Sequence, residues 1–384
     1  MTATAYIGAR LFDGERWHDD AALLVGADGV ESILPAGEAG GYDNVRLDGG
    51  MLVPGFLDLQ VNGGGGILLN DRPTVDGLRT ICAAQAPFGV TALLPTLITD
   101  TRQITASAIA AGIAAAEEGV PGFLGLHLEG PHLSLARKGA HDPALIRPMD
   151  EEDLAALLAA RPRLPNLLTT IAAETVDPQQ IARLSAAGIV VSIGHSDAGY
   201  EAVEAAAGAG ATMATHLFNA MSQVGNREPG VAGAAISDGR FHAGLIADGI
   251  HVHPATIRIA LGAKQGPGRI FLVTDAMAVA GTDLTSFPLN GRTIHRANGA
   301  LRLDDGTLAG ADLAMIDAIR FMRQTIGLTL EESLRMATVY PAEAIGVSAR
   351  YGRLGQGSVA DFVHLSDELA VLGTWIGGRQ VFAG

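Results

Sequence analysis

Cys82 is the only cysteine among 384 residues, so no internal disulfide can form and a reducing, cytoplasmic setting is expected. No apolar run approaches the roughly 20 residues that a membrane-spanning helix needs, so no membrane partner is expected. The opening stretch MTATAYIGARLFDG lacks a basic segment followed by an apolar one, and no secretory leader is expected. Positive charge is scarce as well. Lys and Arg number 26 against 41 Asp and Glu, and the net charge of −15 argues against a nucleic-acid partner. An anionic small substrate stays admissible, because a few local cations set the field inside a cleft. No internal repeat or low-complexity segment is visible.

What is present is a recurring pattern. Four stretches, GFLGLHLEGP (122–131), GIVVSIGHSD (188–197), ATMATHLFNAM (211–221) and RIFLVTDAM (269–277), each begin as a buried strand would. Each delivers a metal-binding or acid–base side chain where the strand ends: Glu129, His195, His216 and Asp275. In an (β/α)8 barrel the C-terminal strand ends converge on one mouth, so residues far apart in sequence meet there.

The rest of the chain fits that architecture. Strand-like runs at 53–57, 91–95, 123–128, 167–172, 189–193, 211–215, 243–247 and 270–274 supply the eight strands of a closed barrel. Ala-rich segments such as SAIAAGIAAAEEG, MDEEDLAALLAARP and YEAVEAAAGAG separate them as helices. Both ends of the chain are β-rich with Gly and Asp turns. The expected organisation is an α/β fold: a TIM-type barrel over 53–349 and a small β-sandwich built from 1–52 plus 350–384. Two unrelated tails would leave strand edges exposed. The segment NGRTIHRANGALRLDDGTLAGA (290–311) reads as an inserted β-hairpin near the mouth.

Glu129, His195 and His216 offer one oxygen and two nitrogens, and three protein ligands with an open position describe a catalytic zinc-type site. Iron, manganese, cobalt or nickel would accept the same donors. A buried histidine held by a backbone hydrogen bond is the plain alternative for any one of them, but three such residues at strand ends favour an ion. Asp275 is placed to take a proton from a metal-bound water and hand it to a leaving group. Its plain alternative is a helix N-cap.

These motifs resemble the amidohydrolase superfamily and, within it, the N-acetylglucosamine-6-phosphate deacetylase family. The carriers are PGFLDLQVNGGGG (54–66), HLEGPHLSLARKGAHDP (127–143), GHSDA (194–198), THLFNAM (215–221), REPGVAG (227–233), ADGIHVHP (247–254) and LVTDAM (272–277), which span the barrel. Many superfamily members carry His-x-His after the first strand to hold a second metal. Here Gln60 and Asn62 stand at those positions, and Glu174 rather than a Lys follows the fourth strand. The resemblance therefore implies one metal per subunit, with Gln60 and Asn62 as the remnant of a second position. It implies a phosphorylated amino-sugar substrate contacted by His141, Asn219, the Ala220 amide, Arg227 and His251. Arg227 and His251 are the two residues it associates with a neighbouring subunit, which implies a homodimer with a shared active site. Arg suits phosphate through its planar fork of donors.

Two other readings compete. A cyclic-amide hydrolase of the same superfamily would be expected to keep the His-x-His pair and the bridging Lys. A silent barrel serving as a scaffold would have no need of all four strand-end residues.

Overall fold

The computed structural model describes residues 3–384. Its centre is a sheet of eight parallel strands in sequence order: Phe56–Val61, Val90–Ile98, Leu126–Glu129, Leu167–Ile171, Val190–Ile193, Met213–Ala214, His242–Leu245 and Ile270–Leu272. Apart from the first residue of the fifth and of the seventh strand, their residues are buried, as expected of parallel strands covered by helices on the outside. The eighth strand does not meet the first through a regular ladder. One parallel bridge, Val61 to Ala276, closes the seam. The Asp275 amide adds a bond to the Gln60 carbonyl at 3.0 Å. Asp58 finishes the closure, its carboxylate accepting from the Thr274 amide at 3.2 Å and from Thr274 Oγ1 at 2.5 Å.

Helices form between the strands where local signals favour them. Thr74, Thr101, Asp150 and Asp177 each accept a backbone N–H in the first turn of the helices Val75–Gln85, Arg102–Glu117, Glu151–Ala160 and Pro178–Ala186. Such caps satisfy donors that a helix start leaves unpaired, typically contributing about 1 kcal/mol each. Among the described residues no helix is long and apolar enough to cross a membrane.

Both chain ends join in a β-sandwich. One sheet holds Thr4–Ile7, Ala21–Gly26, Gly29–Pro35 and Asp43–Arg46. The other sets the block Trp17–His18, Arg10–Phe12 and Met51–Pro54 beside the C-terminal block Phe362–Leu365, Val371–Ile376 and Arg379–Ala383, joined where Met51–Pro54 pairs antiparallel with Phe362–Leu365. Between the sheets lie Tyr6, Leu23, Leu52, Phe362 and Trp375, with Phe362 stacked on Trp375 at 5.0 Å.

Two details differ from expectation. The run 53–57 is not one strand: Met51–Pro54 belongs to the sandwich, and the first barrel strand starts at Phe56. The chain changes sheets at Gly55, where a Cβ would stand 2.1 Å from Thr91 Oγ1, so only glycine fits. The insertion is also larger than a hairpin. It is a meander of four strands, Ser286–Leu289, Arg292–Ala297, Ala300–Arg302 and Leu308–Ala311. Phe287, Leu289, Ile294 and Leu301 bury against Leu68, Ile98, Met277 and Val279, which seats the meander on the barrel mouth.

Candidate metal centre and active site

Glu129 is the last residue of the third strand, whereas His195, His216 and Asp275 lie two or three residues beyond the fifth, sixth and eighth. All three of the latter have left-handed backbones, with φ of 47°, 30° and 53°. That conformation costs a non-glycine residue about 1–3 kcal/mol and recurs where function fixes the chain. Here it accompanies the turn by which each of these residues leaves its strand at the mouth.

The donor atoms converge. Glu129 Oε1 lies 3.0 Å from His216 Nε2 and 3.2 Å from His195 Nε2, and the two nitrogens are 3.1 Å apart. Ligands bonded to one cation at about 2.0–2.2 Å have roughly this mutual spacing. The donor set is one carboxylate and two imidazoles, all buried, which suits a divalent cation of the zinc type. Donors of Glu129, His141 and His195 also fall within 4.8 Å of one another. His141 Nε2 is 4.0 Å from Glu129 Oε2, however, so the triangle that includes His216 is the tighter one.

The electrostatics divide the two carboxylates. Burial alone would raise the Glu129 carboxyl, yet hydrogen bonds with His195 and His216 hold it well below the usual range. Burial, reinforced by the charge of Glu129, lifts the Asp275 carboxyl to about 6. Opposed environments of this kind separate a permanently ionised group from one that exchanges a proton near neutrality. Burial pushes the His141 imidazole down to about 3, so it is neutral. Its Nδ1 faces Thr99 Oγ1 at 2.8 Å.

Gln60 and Asn62 are both engaged. Gln60 Nε2 donates to Glu129 Oε1 at 3.1 Å, and Asn62 Nδ2 donates to Asp275 Oδ1 at 2.6 Å. Their amides therefore orient the two carboxylates.

These groups open into a cavity of about 320 Å³. Glu129, His141, His195, His216, Asp275 and Asn62 form its floor, and Asn219, Ala220 and His251 stand on its wall. The His251 ring is fixed by Asp248, Nδ1 to Oδ2 at 2.6 Å. Arg227 is the exception among the expected substrate contacts. It is exposed on the loop before the helix Gly230–Ser237 and does not line the cavity of its own chain. Residues Thr307–Gly310 and Leu289 of the meander complete the wall, together with Arg137. Sequence reasoning did not single these out, although the DDG turn before Thr307 marks a loop tip. His127 is a satisfied core histidine beneath the site, with Nε2 2.7 Å from Thr170 Oγ1 and Nδ1 3.0 Å from the Leu59 carbonyl.

A parallel barrel whose mouth gathers a carboxylate, two imidazoles and a second carboxylate of raised basicity has the arrangement of a metal-assisted hydrolase. The chain belongs to the amidohydrolase family, which it matches over residues 51–381. It is 42% identical over 354 residues to an N-acetylgalactosamine-6-phosphate deacetylase of Shewanella sp. (strain ANA-3), covering 92% of this chain and 89% of that one. It is 35% identical to an N-acetylglucosamine-6-phosphate deacetylase of Haemophilus influenzae, covering 94% of each. The crystal structure of N-acetylglucosamine-6-phosphate deacetylase from Pasteurella multocida superposes with a TM-score of 0.95 at 34% identity, covering all of both chains.

Proposed function

We propose that the protein hydrolyses the acetamide of N-acetyl-D-glucosamine 6-phosphate, giving D-glucosamine 6-phosphate and acetate. The carrying observation is the triangle of Glu129, His195 and His216 facing Asp275 in one cavity. Glu129, His195 and His216 hold one divalent cation per subunit, with Zn²⁺ the first choice and Fe, Mn, Co or Ni compatible. When bound, that cation supplies Lewis acidity and makes water acidic enough to ionise near neutral pH.

The chain's own residues do the rest. The phosphate is bound by Asn219 and the Ala220 amide on the cavity wall, joined by Arg227. His251 and His141 fix the sugar and its acetamide. Asp275, ionised and oriented by Asn62, takes a proton from water as the water oxygen adds to the acetyl carbon. It returns that proton to the nitrogen as the C–N bond breaks, so that the amine leaves neutral. Because Arg227 lies outside its own cavity, the complete site needs a second copy of the chain, and the working unit is a homodimer in the cytoplasm. The catalytic domain is the barrel from Phe56 to residue 349, and the small domain is formed by the segment ending at Pro54 together with 350–384.

A second reading concerns the sugar. The Shewanella relative is named for the galactosamine epimer. The two substrates share the acetamide and the phosphate and differ only at the C4 hydroxyl. A cyclic-amide hydrolase is disfavoured because Gln60 and Asn62 are tied to Glu129 and Asp275.

Acetate release tests the proposal, measured on both phosphorylated epimers and on unphosphorylated N-acetylglucosamine, with and without prior chelation. Chelator-sensitive turnover of the glucosamine 6-phosphate derivative is expected, with the unphosphorylated sugar far slower. Faster turnover of the galactosamine epimer would reassign the substrate, and no turnover of either with metal restored would reject the deacetylase reading. Asp275→Asn should still bind metal and substrate while losing about 10²–10⁴ in turnover.

A further inference from the structure

The two imidazoles beside Glu129 are held in different ways. His216 Nδ1 is buried and has no hydrogen-bond partner among the described residues. His195 Nδ1 lies 2.8 Å from the carbonyl oxygen of Arg137. A carbonyl can only accept, so Nδ1 carries a proton, which leaves Nε2, on the Glu129 side, as the nitrogen that would ligate a cation.

That carbonyl ends a single helical turn, Leu135–Arg137, which no side chain caps and whose Leu135 is exposed. What places the turn over His195 is a closed ring of contacts. The Ser134 amide donates to the His195 carbonyl at 2.9 Å. Arg137 Nε donates to Asp197 Oδ1 at 2.7 Å. Asp197 stands two residues beyond His195, and its amide donates to Glu174 Oε1 at 2.7 Å. Ser196 Oγ between them donates to Glu174 Oε2 at 2.6 Å. The chain that leaves His195 thus returns through Asp197 and Arg137 to the His195 ring.

We infer that Arg137 and Asp197 are positioning residues for the cation site: their ion pair holds the Arg137 carbonyl against His195 Nδ1–H and so fixes both the tautomer and the direction of Nε2. The inference rests on Glu129, His195 and His216 being the cation's ligands. Partners that take the second nitrogen of a metal-bound histidine govern affinity by about 10–100-fold. The Arg137–Asp197 pair acts one step further out and is about two-fifths exposed, where screening weakens ion pairs, so its share is smaller.

The test is Zn²⁺ affinity, measured by competition with a chromophoric chelator, for the full-length protein and for Asp197→Ala, Asp197→Asn, Arg137→Ala and the double alanine variant. The melting temperature of each metal-free protein is recorded alongside. Each single alanine variant should weaken Zn²⁺ binding about fivefold, and the double variant no more than either, because one interaction is being removed twice. Asp197→Asn should fall between, since it keeps an acceptor for Arg137 but not the charge. The metal-free melting temperatures should stay together. Unchanged affinity in both single variants overturns the inference, as does a loss that follows a lowered metal-free melting temperature, which marks general loosening. Failure of the unaltered protein to bind Zn²⁺ would instead sink the assignment of the ligands themselves.

Discussion

At the scale of single residues, the amide of Asn62 bears most directly on the proposed chemistry. Its Nδ2 donates to Asp275 Oδ1 at 2.6 Å, while its own Oδ1 is buried without a partner among the described residues. Burial and the Glu129 charge lift the Asp275 carboxyl, and the Asn62 hydrogen bond opposes them. A base must be ionised to act, so activity falls as pH drops through the pKa of Asp275. Asn62→Ala removes the opposing bond and should move the acid limb of the kcat/KM profile upward by roughly one pH unit, the equivalent of about 1.4 kcal/mol. A bound cation lowers the pKa in both proteins and leaves their order unchanged. An acid limb that stays in place in the variant would show that Asn62 does not tune Asp275. The amide at this position was legible in the sequence as a departure from His-x-His. Its partner was not, because Asn62 and Asp275 are 213 residues apart and meet only at the barrel seam.

Among the elements, long buried runs announced themselves. Seven of the eight expected strands overlap the observed ones closely, since a parallel strand covered on both faces reads as an apolar run. The first was misplaced because the apolar run continues through Gly55 from the sandwich into the barrel, and hydrophobicity alone carries no mark of the change of sheet. The meander was undercounted although its turns were written in the chain. Asn290–Gly291 and Asn298–Gly299 each join two strands with positive φ at both residues, the conformation that favours Asn-Gly in two-residue hairpins. The joint between sandwich and barrel also carries a titratable group. The Asp361 carbonyl accepts from the Gly55 amide at 2.9 Å, and its carboxylate accepts from the Gly377 amide at 2.7 Å. Burial pushes that carboxyl up to about 7. Unfolded, it titrates near 4, so between about pH 4 and pH 7 the folded state binds more protons and stability falls as pH rises. Asp58, also lifted to about 7 by burial, adds a slope of the same sign. Asp361→Asn keeps an acceptor for Gly377 and removes its own titration from that slope. Its melting temperature should therefore drop less than that of the parent between pH 5 and pH 8, and equal drops in the two proteins would refute the assignment.

For the molecule as a whole, the proposed phosphate role of Arg227 turns on which copy of the chain it serves. It is exposed, outside the cavity, on a loop that also exposes Val224, and Ile250 is exposed beside His251. Exposed apolar side chains on the loops that carry Arg227 and His251 are what a surface awaiting a second copy of the chain would present. In an isologous dimer each copy lends the same residue to the other's site. This makes a complementation experiment decisive. Asp275→Asn lacks the proposed base and Arg227→Ala the proposed phosphate contact, and on the dimer reading each variant alone should be nearly inactive at substrate concentrations well below KM. If Arg227 acts across the boundary, a mixed dimer holds one site with an intact Asp275 and the partner's intact Arg227. Random exchange of equal amounts would then restore about a quarter of the parent activity, since half the dimers are mixed and half of their sites are whole. If Arg227 serves its own chain, no site in any dimer is whole and mixing restores nothing. Unphosphorylated N-acetylglucosamine provides the control. Arg227→Ala should cost it little, because the missing contact is to the phosphate, so any rescue must appear with the phosphorylated sugar and be absent without it.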